Sequence, residues 1–126
     1  MAKFYKCDEC GSLVLKLNNL GPAPVCCGQP MRELKANSTD AATEKHVPVI
    51  RESEGMIEVV VGSAPHPMEE DHYIEWIYLL TDKGAKIHYL HPGEAPAAKF
   101  ALLKDEVAIA VYSYCNKHGL WKADVE

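Results

Sequence analysis

The chain has 126 residues, 48% hydrophobic and 25% charged, with a formal net charge of −5. That is the composition of a folded globular chain; no apolar run approaches the ~20 residues of a membrane span, and the acidic balance argues against a nucleic-acid protein, which carries a basic face. The opening Met1-Ala2-Lys3-Phe4-Tyr5-Lys6-Cys7 has charge but neither the apolar stretch nor the cleavage site of a signal peptide, so a cytoplasmic location with reduced thiols is expected.

Four of the five cysteines lie in the first 27 residues, and residues 1–36 read as a separate small unit. Turn signals at Cys10-Gly11, Asn18-Asn19, Gly21-Pro22 and Cys27-Gly28-Gln29-Pro30 separate short strand-like pieces, 13–17 and 31–34. Below about 40 residues a unit needs a staple besides its core. Cys7-x2-Cys10 and, after fifteen intervening residues, adjacent Cys26-Cys27 supply one. In a reducing compartment they read as metal ligands before disulfides. Spacing alone fits zinc and iron, zinc slightly ahead. Adjacent ligands must both bend toward one ion, so distorted sulfur–metal–sulfur angles are expected.

Residues 37–43 are small and polar and read as a linker. From 46 onward the chain is strand-like: 47–52, 56–61, 72–80, 85–90, 98–103, 107–115 and 119–124, with turns at Asp82-Lys83-Gly84, Pro92-Gly93 and Lys104-Asp105-Glu106. Ile74, Trp76, Tyr78 and Leu80 are expected on one face of their strand. Val107, Ile109, Val111, Ser113 and Cys115 are expected on one face of theirs. Ala108 and Ala110 also permit a short helix there, but the β-branched alternation decides for strand. About seven evenly spaced strands give an all-β chain, a sandwich or barrel over residues 37–126.

His46, His66, His72, Cys115 and His118 form a second constellation. Singly, each has an ordinary explanation as a loop, cap or core residue. Together, Cys115-x2-His118 is a chelating corner at a strand end, and His66, stiffened between two prolines, brackets with His72 an acidic loop. Strand ends cluster at one rim of a sandwich, where such groups converge. Four imidazoles and one thiolate exceed zinc's usual four ligands. Around an octahedral ion they leave one position open, which suits iron chemistry on a small oxygen species. His88 and His91 are expected at the surface.

The motifs Cys7-Asp8-Glu9-Cys10 with Cys26-Cys27-Gly28, Glu44-Lys45-His46-Val47-Pro48, His66-Pro67-Met68-Glu69-Glu70-Asp71-His72 and Cys115-Asn116-Lys117-His118-Gly119-Leu120-Trp121 resemble, over nearly the whole chain, the two-iron superoxide reductases of the desulfoferrodoxin family. The resemblance implies a desulforedoxin-like N-terminal domain with one iron on Cys7, Cys10, Cys26 and Cys27. It implies a seven-stranded immunoglobulin-like β-sandwich with a second iron on equatorial His46, His66, His72 and His118 and axial Cys115. Glu44 is then the carboxylate that occupies the sixth position at rest, and Lys45 the cation that attracts superoxide. Superoxide as substrate, a donor such as rubredoxin and a homodimer follow from the same resemblance. Backbone N–H groups in Asn116-Lys117-His118 are expected to point at the Cys115 sulfur. The rival readings are a superoxide dismutase, a non-catalytic iron electron carrier and a zinc-stabilised structural protein.

Overall fold

The structure is a computed structural model that describes residues 3–125. Met1 and Ala2, where the segment read above for a leader begins, and Glu126 lie outside the described residues. The chain divides into two compact units, Met1–Lys35 and Ala36–Glu126. Among the described residues, no helix is long and apolar enough to cross a membrane.

The first unit is built on β1 (Lys3–Lys6), flanked antiparallel by β2 (Leu13–Lys16) and β5 (Arg32–Glu33). A two-residue ribbon, β3 (Val25–Cys26) and β4 (Gln29–Pro30), carries the second cysteine pair. The apolar cluster is small: Tyr5, Cys7 and Met31 are buried, with Ala23 and Cys26 against them. A cysteine is therefore part of the core itself, and so small a core cannot offset the chain entropy of the unit. The β1 strand was not anticipated; Lys-Phe-Tyr-Lys is too short to show a period.

The second unit opens with a single helical turn, α1 (Thr43–His46). Two antiparallel sheets follow, ordered β10-β7-β6 and β12-β11-β8-β9. Their strands are β6 (Pro48–Ser53), β7 (Met56–Val61), β8 (Ile74–Thr81), β9 (Gly84–Tyr89), β10 (Ala97–Ala101), β11 (Ala108–Cys115) and β12 (Gly119–Asp124). Ile57, Val59, Val61 and Phe100 from the first sheet meet Ile74, Ile77, Leu79, Val111 and Cys115 from the second in one buried cluster. The expected all-β architecture, a small four-cysteine unit and a seven-stranded sandwich, is what the chain forms. Fully burying each of the aliphatic side chains contributes about 1.5–3 kcal/mol.

Three expectations need correction. Residues 37–43 are not a free linker. Asn37 donates its N–H to the Leu120 carbonyl, and its side chain exchanges two bonds with Lys122, donating from Nδ2 at 3.1 Å and accepting at Oδ1 at 2.9 Å. It thereby adds a strand-like partner to β12. The alternation along β8 and β11 is also broken. The pairing slips at Ile109, between Ala108 and Ala110, so Ala108 enters the core while Val107 and Ile109 stay 60% and 41% exposed. A second slip at Glu75 brings Ile74 onto the core face with Ile77 and Leu79. Trp76 and Tyr78 are left with Tyr114 and Tyr112 in a row of aromatic contacts. One unpaired residue in a ladder swaps the face of those beyond it, which a period-two reading cannot foresee. That second slip also delivers Cys115 opposite Ile74, at the rim that carries the histidines.

Glu106 locks the distal turns. Its buried carboxylate accepts from Thr81 Oγ1 at 2.6 Å, Lys86 Nζ at 3.0 Å and the Leu103 N–H at 3.0 Å, and Lys86 Nζ also donates to the Ala101 carbonyl. The hydroxyl of Thr81 first, then the Leu103 N–H and Lys86, hold this carboxyl down to about 2 from its usual 4.5. A depressed carboxyl contributes its stability in full above the ordinary value and loses it as the pH falls through the folded one. Glu106→Gln should therefore melt several degrees below the parent at neutral pH, with the gap closing between about pH 4.5 and 2. Thermal melts of both proteins from pH 7 to 2 check this; a gap independent of pH contradicts it.

Candidate metal centres

In the first unit, the Cys7-x2-Cys10 loop is shaped by its own backbone: the Cys7 N–H donates to Ser12 and the Gly11 N–H to Cys7, both at 2.9 Å. Gly11 takes φ +80°, where a side chain would be strained. On the facing turn Cys27 itself adopts φ 51°, a left-handed conformation that lets two consecutive residues direct sulfur the same way. The four sulfurs lie within 4.8 Å of one another, with Cys10–Cys26 at 3.6 Å and Cys26–Cys27 at 3.9 Å. A tetrahedron with bonds of about 2.3 Å has edges of about 3.8 Å. The two edges straddle that value, so these sulfurs stand at the spacing a tetrahedral ion needs. The thiols are also electrostatically unequal. The backbone N–H of Cys10, more than any other group, lowers Cys7 to about 7, whereas the neighbouring sulfurs, Cys7 foremost, push Cys26 up to about 12. Four such sulfurs ionise together only around a cation.

The second centre stands on the rim of the sandwich. His46 ends α1, His66 lies between β7 and β8, and His72 closes a tight turn in which Glu69 and His72 exchange backbone hydrogen bonds at 2.9 and 3.1 Å. Cys115 ends β11 and His118 precedes β12. Four imidazoles form a closed square: the centroids of His46–His66, His66–His72, His72–His118 and His118–His46 are 4.6, 5.0, 5.1 and 4.9 Å apart, each pair nearly perpendicular. The coordinating atoms of His46, His66, His72 and Cys115 all lie within 4.8 Å of one another. His118 Nδ1 completes the set, 3.1 Å from His46 Nε2 and 3.9 Å from the Cys115 sulfur.

Tautomers decide what this cluster can hold. His46 Nδ1 is 2.7 Å from the Ala42 carbonyl and His66 Nδ1 is 2.6 Å from the Pro67 carbonyl. A carbonyl only accepts, so both rings carry their proton on Nδ1. Burial keeps both neutral, pushing His66 down to about 4 and His46 below its usual value. Each Nε2 is then a lone pair, yet the two face each other at 3.1 Å. His72 Nε2 is buried without a hydrogen-bond partner. Burial also lowers His72, and it pushes the Cys115 thiol up. Converging lone pairs and an orphaned nitrogen fit a shared cation: neighbouring nitrogens at right angles on bonds of about 2.1 Å stand about 3.0 Å apart. The donor set, imidazole with thiolate, suits a first-row transition ion.

The surroundings hold these rings still. Trp121 stacks on His46 at 4.8 Å and donates its indole N–H to the His118 carbonyl at 3.0 Å; Ser113 Oγ donates to the His46 carbonyl at 3.0 Å. Backbone N–H groups of Lys117 and His118 point at the Cys115 sulfur and partly offset its burial. The N–H of Asn116 goes instead to the Tyr73 carbonyl, at 3.3 Å. Gly62 packs so closely under the His46 turn that a Cβ there would lie 2.6 Å from the Glu44 carbonyl oxygen and 3.0 Å from that of Val47. Sequence reading missed Trp121, Ser113 and Gly62 as supports. Trp121 stood inside a noted motif, whereas nothing in the sequence marks Ser113 or Gly62.

Glu44 and Lys45 are both exposed on α1. The Glu44 carbonyl accepts from the Ala64 N–H at 2.8 Å and from Ser63 Oγ at 3.3 Å, which ties this turn to the loop after β7. His88 and His91 are exposed, and His91 pairs with Glu94 at 3.0 Å.

Comparison with known proteins agrees with this picture along the whole chain. The family model described as desulfoferrodoxin matches residues 38–124, and that of the desulfoferrodoxin N-terminal domain matches residues 1–34. A desulfoferrodoxin of Nitratidesulfovibrio vulgaris is 47% identical over 97% of this chain and 95% of its own. A superoxide reductase of Pyrococcus abyssi is 38% identical over 71% and 92%. The crystal structure of the superoxide reductase from Treponema pallidum superposes with a TM-score of 0.83 at 33% identity, covering 98% of each chain. With both family models matched and both ligand sets in place, the chain belongs to the desulfoferrodoxin family.

Proposed function

We infer that this protein is a superoxide reductase, converting superoxide, one electron and two protons to hydrogen peroxide. The observation that carries the reading is the square of four imidazoles with a cysteine sulfur among them, two of its lone pairs facing at 3.1 Å. Residues 37–126 form the catalytic domain, in which His46, His66, His72, His118 and Cys115 would hold one iron. Residues 1–36 form the small domain, in which Cys7, Cys10, Cys26 and Cys27 would hold the other. The catalytic iron, when bound, supplies the electron and an open position for a small oxygen anion. Seven antiparallel strands split three and four, with connections crossing between the sheets, support placing the sandwich in the immunoglobulin-like class.

The remaining work falls to this chain's own groups. Lys45, exposed one residue before His46, gives an anion a local attraction that the net charge of −5 does not. The same ammonium could hold a water that passes a proton to the reduced oxygen. Glu44, exposed beside it, would be the carboxylate that fills the remaining position at rest. The Lys117 and His118 N–H groups draw charge from the Cys115 sulfur, and the Ala42 and Pro67 carbonyls keep the His46 and His66 rings in one tautomer. Five cysteines free of disulfides accord with a cytoplasmic location. A rubredoxin-like donor and a homodimer complete the assignment by family.

Two outcomes are expected. Each superoxide consumed should yield one hydrogen peroxide and require reductant; one peroxide for every two superoxides without reductant would make the protein a dismutase. Lys45→Ala should keep both metals and the visible spectrum yet consume superoxide at least about tenfold more slowly. Its rate should also depend less on ionic strength than the parent's. Pulse radiolysis or stopped flow across salt concentrations measures both, and equal rates with equal salt dependence contradict the role.

A further inference from the structure

His72 is carried by a four-residue turn, and besides the strand pairing that follows it, what fastens that turn to the other ligands is a single residue, Asn116. Asn116 Nδ2 donates to the Asp71 carbonyl at 2.9 Å. Its Oδ1 accepts from the Tyr73 N–H at 3.0 Å, and its own N–H donates to the Tyr73 carbonyl at 3.3 Å. Asp71 and Tyr73 are the two neighbours of His72. Asn116 itself follows Cys115 and lies two residues before His118. One amide thus straps both flanks of one ligand to the corner that bears two others. The strap needs a donor and an acceptor in one planar group; aspartate has only acceptors, and alanine has neither.

We propose that Asn116 is a positioning residue that sets the number of donors at the histidine–cysteine centre. By fixing residues 71–73 it keeps His72 in the square as the fifth donor, so that the centre prefers an ion of higher coordination number to zinc. The proposal rests on the reading of this cluster as a metal centre. The Glu69–His72 bridge closes the turn locally but does not attach it to the 115–118 corner. With the side-chain strap cut, the backbone bond from the Asn116 N–H still holds the Tyr73 carbonyl, but the Asp71 flank is released and the buried, otherwise unpartnered Nε2 of His72 moves out of the square with it. His46, His66, His118 and Cys115 remain, and three histidines with one cysteine make a four-donor set of the kind zinc accepts.

The test is competition dialysis of the full chain, anaerobically, against ferrous iron and zinc together, followed by metal analysis. The four-cysteine centre is common to all variants, so differences between them report the other centre. Asn116→Ala should shift the preference from iron toward zinc by roughly 10- to 100-fold. Asn116→Asp, which keeps the bond from the Tyr73 N–H, should shift it less, and it stands in if the alanine variant does not fold. His72→Ala should shift it at least as far. Adding Asn116→Ala to His72→Ala should change nothing more, because the strap acts through that ligand. An Asn116→Ala chain with the parental preference would overturn the proposal, as would an Asn116→Ala loss that adds in full to that of His72→Ala. A parent chain that takes up one metal only would overturn the metal-centre reading itself, and the proposal with it.

Discussion

The Nε2 lone pairs of His46 and His66 meet at 3.1 Å, each ring fixed as an acceptor there by the proton it gives to a backbone carbonyl. Bare, this contact is repulsive, and burial makes protonation a poor remedy. Much of the rim is arranged to maintain it. Trp121 covers one ring, Ser113 holds its carbonyl, Gly62 lets the turn beneath it approach, and the slip at Glu75 in β8 brings Cys115 to the same place. A cation converts the repulsion into shared coordination, and metal binding is in this sense part of the folding of the rim.

The two units answer different problems. The sandwich has a continuous apolar core, which lets its rim carry an unfavourable cluster of nitrogens. The N-terminal unit buries few side chains, one of them Cys7, and its sulfurs are both staple and core. Its thiols, with Cys7 lowered and Cys26 raised, hold a charge pattern that resolves only around a common ion. The polar devices between strands follow the same economy: Asn37 imitates a strand partner, and Glu106 closes the turns far from the metal rim.

Much of this was legible in the sequence because ligands and β-branched residues announce themselves by type. The nine donors were named from cysteine and histidine spacing together with the family resemblance, and most strand positions from alternation. What stayed hidden depends on registers and backbone shapes. The slips at Glu75 and Ile109 change which residues face inward without changing composition. The single turn Thr43–His46 has too few residues to show a helical period. Asn37 looks like any linker residue until β12 is beside it, and Asn116 looks like a filler between Cys115 and His118 until its amide is seen to bridge Asp71 and Tyr73. Side-chain bonds to distant backbone leave no periodic trace.

Whether iron holds the rim together is tested by metal analysis with a visible spectrum of the aerobically purified protein, before and after a mild reductant. Two irons per chain, a red cysteine–iron spectrum and a second band that reductant bleaches are expected. A colourless protein carrying only zinc, purified from iron-replete cells, would contradict this and leave the square of histidines without a redox role.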